Sequence, residues 1–129
     1  MSETLPAHLR ADCAACLALC CAGPAFDAAQ GFGYDKPAHQ PCRHLGADHA
    51  CTIHASRAAR GFGACEAFDC HGAGQRVTAL FGGAGWRGDA AAAARMFDAY
   101  ARMRGLHELL VLLFAARRRA CDAAAAETV

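Results

Sequence analysis

Eight of the nine cysteines lie between residues 13 and 70, and their thiols are the side chains of this sequence best suited to chemistry. Thiolates are soft ligands that hold zinc, cuprous copper and the iron of iron-sulfur clusters. Eight thiols permit two four-cysteine sites, or one cluster with further thiols beside it. The pattern therefore predicts a metal centre that holds iron, as an iron-sulfur cluster, or zinc. The eight are Cys13, Cys16, Cys20, Cys21, Cys42, Cys51, Cys65 and Cys70.

The remaining polar residues do not indicate a reaction. Five histidines lie in or beside the cysteine region, and with eight thiols present we expect them at the surface or around the ligands. Cys121 is isolated in an Ala-rich segment, where an inert packing role is expected. No Ser/His/Asp arrangement, catalytic carboxylate pair or nucleotide loop is evident, so the sequence does not decide whether the protein is an enzyme. The histidines are His39, His44, His49, His54 and His71.

Composition limits the compartment and the partners. The net charge is +1, and the three adjacent arginines at 117–119 point around a helix, so we expect no nucleic-acid partner. Residues 1–10 lack a secretory signal, which predicts a cytoplasmic location. The longest apolar run, 109–116, is far shorter than the roughly 20 residues of a membrane helix. Dense cysteines in a reducing compartment indicate metal binding, whereas in an oxidising one they could form four disulfides.

The segment from Asp12 to Ala22 must present the first thiols. Its Ala and Leu content predicts a helix, with Cys13, Cys16 and Cys20 on one side at i, i+3 and i+7. Cys21 then points about a quarter turn away, so one of the adjacent Cys20 and Cys21 is expected to serve a second ion or a neighbouring function. Gly23 and Pro24 end the helix.

The chain predicts a mainly α fold: a small cysteine-rich, metal-stabilised domain with irregular loops, supported by a C-terminal two-helix hairpin. Residues 1–129 form one domain, with a cysteine-rich metal-binding region at 12–74 and the hairpin at 89–126. Asp89 caps the first helix and Gly105 separates it from the second. Residues 109–114 are apolar all round, which favours a homodimer contact through the last helix.

Four segments carry a resemblance to known cysteine-cluster proteins. DCAACLALCC, QPCRHL, CTIHASR and GFGACEAFDC occur in this order, and the chain resembles the YkgJ type of domain, described as zinc- or iron-chelating with a CxxCxxCC signature. It is more similar still to the cysteine-rich N-terminal domain of actinobacterial pentapeptide-repeat proteins. There the stretches CC, DKPAGTPC, DCFGAGQ and RQLHELL have counterparts in this chain at 20–21, 35–42, 69–75 and 104–110.

The resemblance implies that all eight clustered cysteines, with Cys70 as the eighth, are metal ligands. Three residues separate Cys16 from Cys20 where the signature has two, and His54 stands where the family segment CxIYxxRPxxC has Tyr. A related methylase of flagellin lysines is an iron-sulfur protein, which offers a redox or group-transfer enzyme as the alternative function. A third interpretation is a sensor whose thiols release the ion on oxidation.

Overall fold

A computed structural model describes residues 4–127, and the ends of the predicted 1–129 domain, residues 1–3 and 128–129, lie outside it. The predicted mainly α class is confirmed. The α-helices are α1 Leu19–Ala22, α2 Gly63–Ala67, α3 Ala73–Leu80 and α4 Ala90–Glu127. Short 3-10 turns form at Ala7–Leu9, Cys13–Ala15, Ala28–Gln30, His54–Ser56 and Ala58–Arg60. Isolated antiparallel bridges join Phe26 to Lys36 and Leu45 to Cys51.

Two apolar clusters hold these elements together. The main core lies where α1 and α3 pack on the first half of α4, and it includes Leu19, Ala22, Ala73, Val77, Trp86, Met96, Phe97 and Tyr100. The loop cluster packs the irregular segments around Phe26, Cys42, Ile53 and Phe62. Stacked and edge-on aromatic pairs add to the loop cluster, such as Phe26 on Phe32 at 5.0 Å between ring centroids. The loops between 25 and 62 therefore pack around a small core of their own.

The predicted helix from Asp12 to Ala22 is wrong. The chain is extended at Cys16 and left-handed at Ala18, where φ is 60°, so helix α1 begins only at Leu19. Residues distant in sequence form the backbone hydrogen bonds of Leu17 in place of a helix. Trp86 Nε1 donates to the Leu17 carbonyl at 2.8 Å, and the Leu17 N–H donates to Thr78 Oγ1 at 3.1 Å. Helix propensity, a few tenths of a kcal/mol per residue, is weaker than these contacts.

The predicted hairpin at 89–126 is also wrong, because α4 is one continuous helix of 38 residues. Asp89 does cap it as predicted, accepting the Ala92 N–H at 3.0 Å. Gly105 lies within the helix, and the Arg104–Glu108 ion pair at 3.6 Å spans it. A single glycine costs only about 1 kcal/mol in a helix interior, and the Ala, Leu, Met, Arg and Glu residues around it favour helix.

The second half of α4 contacts the body of the molecule along one side only. His107, 5% exposed, is the last buried residue of the helix. This half of the helix carries five leucines that are 43–67% exposed, namely Leu106, Leu109, Leu110, Leu112 and Leu113. The first three line a surface cleft together with His8 and Arg76. The segment predicted to be apolar all round thus leaves an exposed leucine surface. Within residues 4–127, no helix is long and apolar enough to cross a bilayer.

Replacing Gly105 with Ala should stabilise the protein by about 1 kcal/mol, since the helix continues through this position and an added Cβ has nothing within 4 Å. Chemical denaturation followed by circular dichroism at 222 nm, a wavelength typical of helix, measures the change. Gly105→Pro is the control, and it should lose helical signal because proline breaks a helix at about 3 kcal/mol. A destabilised Gly105→Ala variant would contradict the continuous helix.

Candidate metal centre

The eight clustered cysteines are brought into two neighbouring groups. The first, the core half, consists of Cys13, Cys16, Cys20 and Cys70; the last three pack against the main core. The second, the loop half, consists of Cys21, Cys42, Cys51 and Cys65, all of them in or against the loop cluster. We assign Cys13 to the core half because the charges of Cys20 and Cys70 raise its pKa, which shows that it lies near them. Cysteines far apart in sequence thus pack against the same apolar cluster.

Helix α3 and the start of α1 position the core half. Gly74, in the first turn of α3, lies so close to Cys16 that an added Cβ would be 2.5 Å from its Sγ and 3.9 Å from Cys70 Sγ. Only glycine at position 74 leaves room for Cys16 Sγ against this helix. Backbone N–H groups of Leu19 and Ala18 point to Cys16, and these donors favour a thiolate.

Backbone contacts connect the loop half. The Cys42 N–H donates to the Cys21 carbonyl at 2.8 Å, which holds these two cysteines side by side. The bridge between Leu45 and Cys51 brings Cys51 to the same cluster. The His44 N–H lies 3.4 Å from Cys42 Sγ, an N–H···S contact of the kind that tunes the sulfurs of metal sites.

The two halves meet at Cys20 and Cys21. Their Sγ atoms are 3.9 Å apart, although the sequence predicts that adjacent cysteines point in different directions. Cys65 of the loop half also lies within reach of the Cys20 charge. Helix α1 is short and contains both cysteines. Cys20 packs against the main core and Cys21 against the loop cluster, while their sulfurs remain close. The eight thiols therefore form one connected group.

Burial favours the protonated form of Cys13, Cys16 and Cys65. It raises the pKa of Cys13 and Cys16, and it raises the pKa of Cys65 to about 11, with the charges of neighbouring cysteines adding to the effect. The pKa of Cys20 is raised chiefly by its contact with the Cys21 thiol, then by burial. Because only thiolates bind metal, an ion bound here must displace protons, and its affinity rises with pH.

Arg57 and Lys36 place positive charge beside the thiols, and the sequence does not single out either. Arg57 lowers the pKa of Cys13, Cys20 and Cys65, an effect smaller than that of burial. Its guanidinium is fixed by Nη1 donating to the Cys65 carbonyl at 3.2 Å. A cation in this position partly offsets the repulsion between thiolates.

Lys36 is 3% exposed and is the only lysine of the chain, against twelve arginines. Its Nζ donates to the carbonyls of Pro24, Pro37 and Gln40 at 2.6, 3.1 and 2.6 Å. These contacts close the loop that leads into Cys42. The lone lysine in an arginine-rich composition is the one sequence signal that could have pointed to this position.

Two of the five histidines, His49 and His71, have a buried ring nitrogen with no hydrogen-bond partner among the described residues. His44 packs edge-on against Phe62 and His49 against Trp86, while His39 and His71 lie 3.8 and 3.7 Å from carboxylates. His54 is exposed. Among residues 4–127, no three His, Cys, Asp or Glu side chains already converge as the ligands of one ion.

Cys121 and the surface clefts lie apart from the centre. Cys121 is an exposed free thiol in α4, and the other eight cysteines are free thiols as well. Two surface clefts, of about 490 and 250 Å³, are lined by no cysteine. Neither cleft therefore supplies a substrate pocket beside the thiols.

Gly74→Ala should destabilise the protein by about 1–3 kcal/mol, since its Cβ would force Cys16 away from α3. Gly63→Ala in α2 is the matched control, because its Cβ would have nothing within 4 Å and the change should be neutral or stabilising. Urea denaturation of both variants without metal measures the difference. Equal stability of Gly74→Ala and the unmodified protein would contradict the close contact.

Comparison with known proteins gives one relative. The chain is 38% identical over 111 residues to the uncharacterized protein YybG of Bacillus subtilis. The match covers 85% of this chain but 40% of YybG, so this chain spans less than half of that relative's length. No protein-family model matches the chain. No solved structure matches it either.

Proposed function

We propose that this protein binds metal through its eight clustered cysteines, as a chelating domain of the YkgJ type. The observation that carries the proposal is the packing of seven of the eight thiols against two apolar clusters, with Cys20 Sγ and Cys21 Sγ 3.9 Å apart between them. Four sulfurs per half match the four thiolates that surround a tetrahedral zinc ion or an iron-sulfur cluster. The bound group is iron, held as an iron-sulfur cluster, or zinc.

The surroundings of the thiols support a metal centre in preference to a disulfide framework. All nine cysteines are free. Amide N–H groups point at Cys16 and Cys42, and Arg57 lies beside three of the sulfurs. Hydrogen-bond donors and a cation around sulfur stabilise thiolates, the form that binds metal. A disulfide needs neither.

An ion also supplies stability that the loops lack. The loop cluster has four buried residues, and much of the segment between 25 and 62 is exposed. Structural ions contribute on the order of 10 kcal/mol in small metal-binding domains. Because the loop half draws its thiols from two loop segments and from helices α1 and α2, metal binding there would fix their positions together.

Protein purified without oxygen should contain bound metal, and its elemental content with its visible spectrum identifies the group. Iron with sulfide and a broad band near 400 nm, roughly where thiolate-bound iron clusters absorb, indicates a cluster. Stoichiometric zinc in colourless protein indicates the zinc form. Cys16→Ser and Cys51→Ser, one variant for each half, should each lose metal because each removes one ligand thiolate.

Cys121→Ser is the control for these variants, since Cys121 is exposed on α4 and belongs to neither half. It should retain the full metal content. The proposed function would be contradicted if the purified protein contained no metal and also took up neither Fe²⁺ nor Zn²⁺ under reducing conditions. The proposed function would also be contradicted if Cys121→Ser lost as much metal as Cys16→Ser.

We further propose that the exposed leucine surface of α4 binds a second copy of this chain. Leu106, Leu109 and Leu113 recur at spacings of three and four residues, and Ala116, Ala120 and Ala123 continue the series, as along a coiled-coil seam. Burying the exposed halves of five leucines in each of two chains contributes about 8–15 kcal/mol. That is comparable with the cost of association, about 4–15 kcal/mol, so the area suffices for a symmetric dimer.

Leu109→Gln together with Leu113→Gln should convert the dimer to a monomer, because both side chains are about half exposed and lie on the seam. Sedimentation velocity over a range of protein concentrations measures the association state. Leu80→Gln is the matched control, since Leu80 is 57% exposed but belongs to α3. An unmodified protein that remains monomeric at all concentrations would refute the dimer.

A further inference from the structure

Tyr100 is the most deeply buried hydroxyl-bearing side chain of the main core. The residue is 2% exposed and lies on α4, where its ring packs with Leu19, Val77 and Phe97. Its Oη is buried and has no hydrogen-bond partner among the described residues. A buried, unpaired hydroxyl costs about 1–3 kcal/mol, and phenylalanine would fill the same space without that cost.

The other tyrosine shows the usual arrangement. Tyr34 packs in the loop cluster, and its Oη accepts the Arg43 N–H at 2.9 Å. Buried polar groups in proteins are nearly always paired in this manner. Tyr100 Oη is one of three buried side-chain polar atoms without a partner among the described residues, together with His49 Nε2 and His71 Nδ1. The Tyr100 hydroxyl is the one that lies in the main core, and its lack of a partner there needs a physical reason.

The surroundings of Tyr100 supply that reason. Cys16, Cys20 and Cys70, three members of the core half, pack against the same apolar cluster as the Tyr100 ring. Burial raises the pKa of Tyr100, and the charges of Cys20, Cys70 and Cys16 raise it further. The phenol therefore remains protonated at neutral pH, and it is within electrostatic reach of these sulfurs. A protonated hydroxyl beside anionic sulfur is a hydrogen-bond donor.

We propose that Tyr100 is a positioning residue of the metal centre, whose O–H donates a hydrogen bond to a sulfur of the core half when metal is bound. This inference rests on the proposed metal-binding function. The hydroxyl then finds its partner only in the loaded protein, where the thiols are ionised. Donors to ligand sulfur orient the ligand and reduce its charge, which strengthens metal retention and tunes the electronic properties of the site.

Tyr100→Phe tests the inference, with Tyr34→Phe as the matched control. Reduced, metal-free protein is titrated with Co²⁺, whose sulfur charge-transfer absorption reports thiolate ligation, and a chelator competes for the ion. Tyr100→Phe should bind Co²⁺ about 10- to 100-fold more weakly and with a shifted absorption band. Its metal-free stability in urea should be equal to or higher than that of the unmodified protein, since its hydroxyl has no protein partner. Tyr34→Phe should keep the absorption band and lose stability.

The outcomes separate the two proposals. Unmodified protein that binds Co²⁺ through thiolates, together with a Tyr100→Phe variant of unchanged affinity and unchanged absorption, would overturn the role of Tyr100 alone. Unmodified protein that shows no thiolate absorption with Co²⁺ would overturn both the metal-binding function and this inference. A Tyr100→Phe variant destabilised without metal would overturn the inference as well, because it would show that the hydroxyl already has a partner in the metal-free fold.

Discussion

Crowding of the eight thiols is the constraint on which the rest of this structure depends. Thiols that are close together and half-buried resist ionisation, as the raised pKa values of Cys13, Cys16 and Cys65 show. The protein keeps them together with backbone N–H donors, the Arg57 guanidinium and two apolar clusters that receive the sulfurs from opposite sides. At the proposed centre, metal binding would convert thiols to thiolates.

The fold achieves this crowding with very little regular structure around the thiols. Helix α3, packed on α4, offers Gly74 as the surface against which Cys16 and Cys70 approach. Trp86 and Thr78 bond the backbone of Leu17 and so place α1 between the two clusters. Lys36 closes the loop before Cys42 through three carbonyls. Each of these contacts joins residues of the thiol region to each other or to the helical support.

Helix α4 serves two purposes along its length. Its first half carries Met96, Phe97 and Tyr100 into the main core and so supports the core half of the thiols. Its second half has no buried residue after His107 and carries five exposed leucines. The unpaired Tyr100 hydroxyl connects the helical support to the proposed metal chemistry, and the leucine surface connects it to a proposed second copy. A single long helix can therefore link the metal centre with an interface.

The sequence by itself determined the helical class, the cap at Asp89, the separate position of Cys121 and the clustering of eight cysteines, because composition, local hydrogen bonding and spacing are properties of short segments. It did not determine where the helices end. The break at Cys16 and Ala18 follows from Trp86 and Thr78, about 60–70 residues away, and the continuity through Gly105 follows from neighbours that outweigh one glycine. The division of the thiols into two halves, the contact of Cys20 with Cys21, the unpaired Tyr100 and the roles of Gly74 and Lys36 arise only in the tertiary structure. These features depend on the distances between residues that are remote in sequence. Only the packing of the folded chain determines those distances.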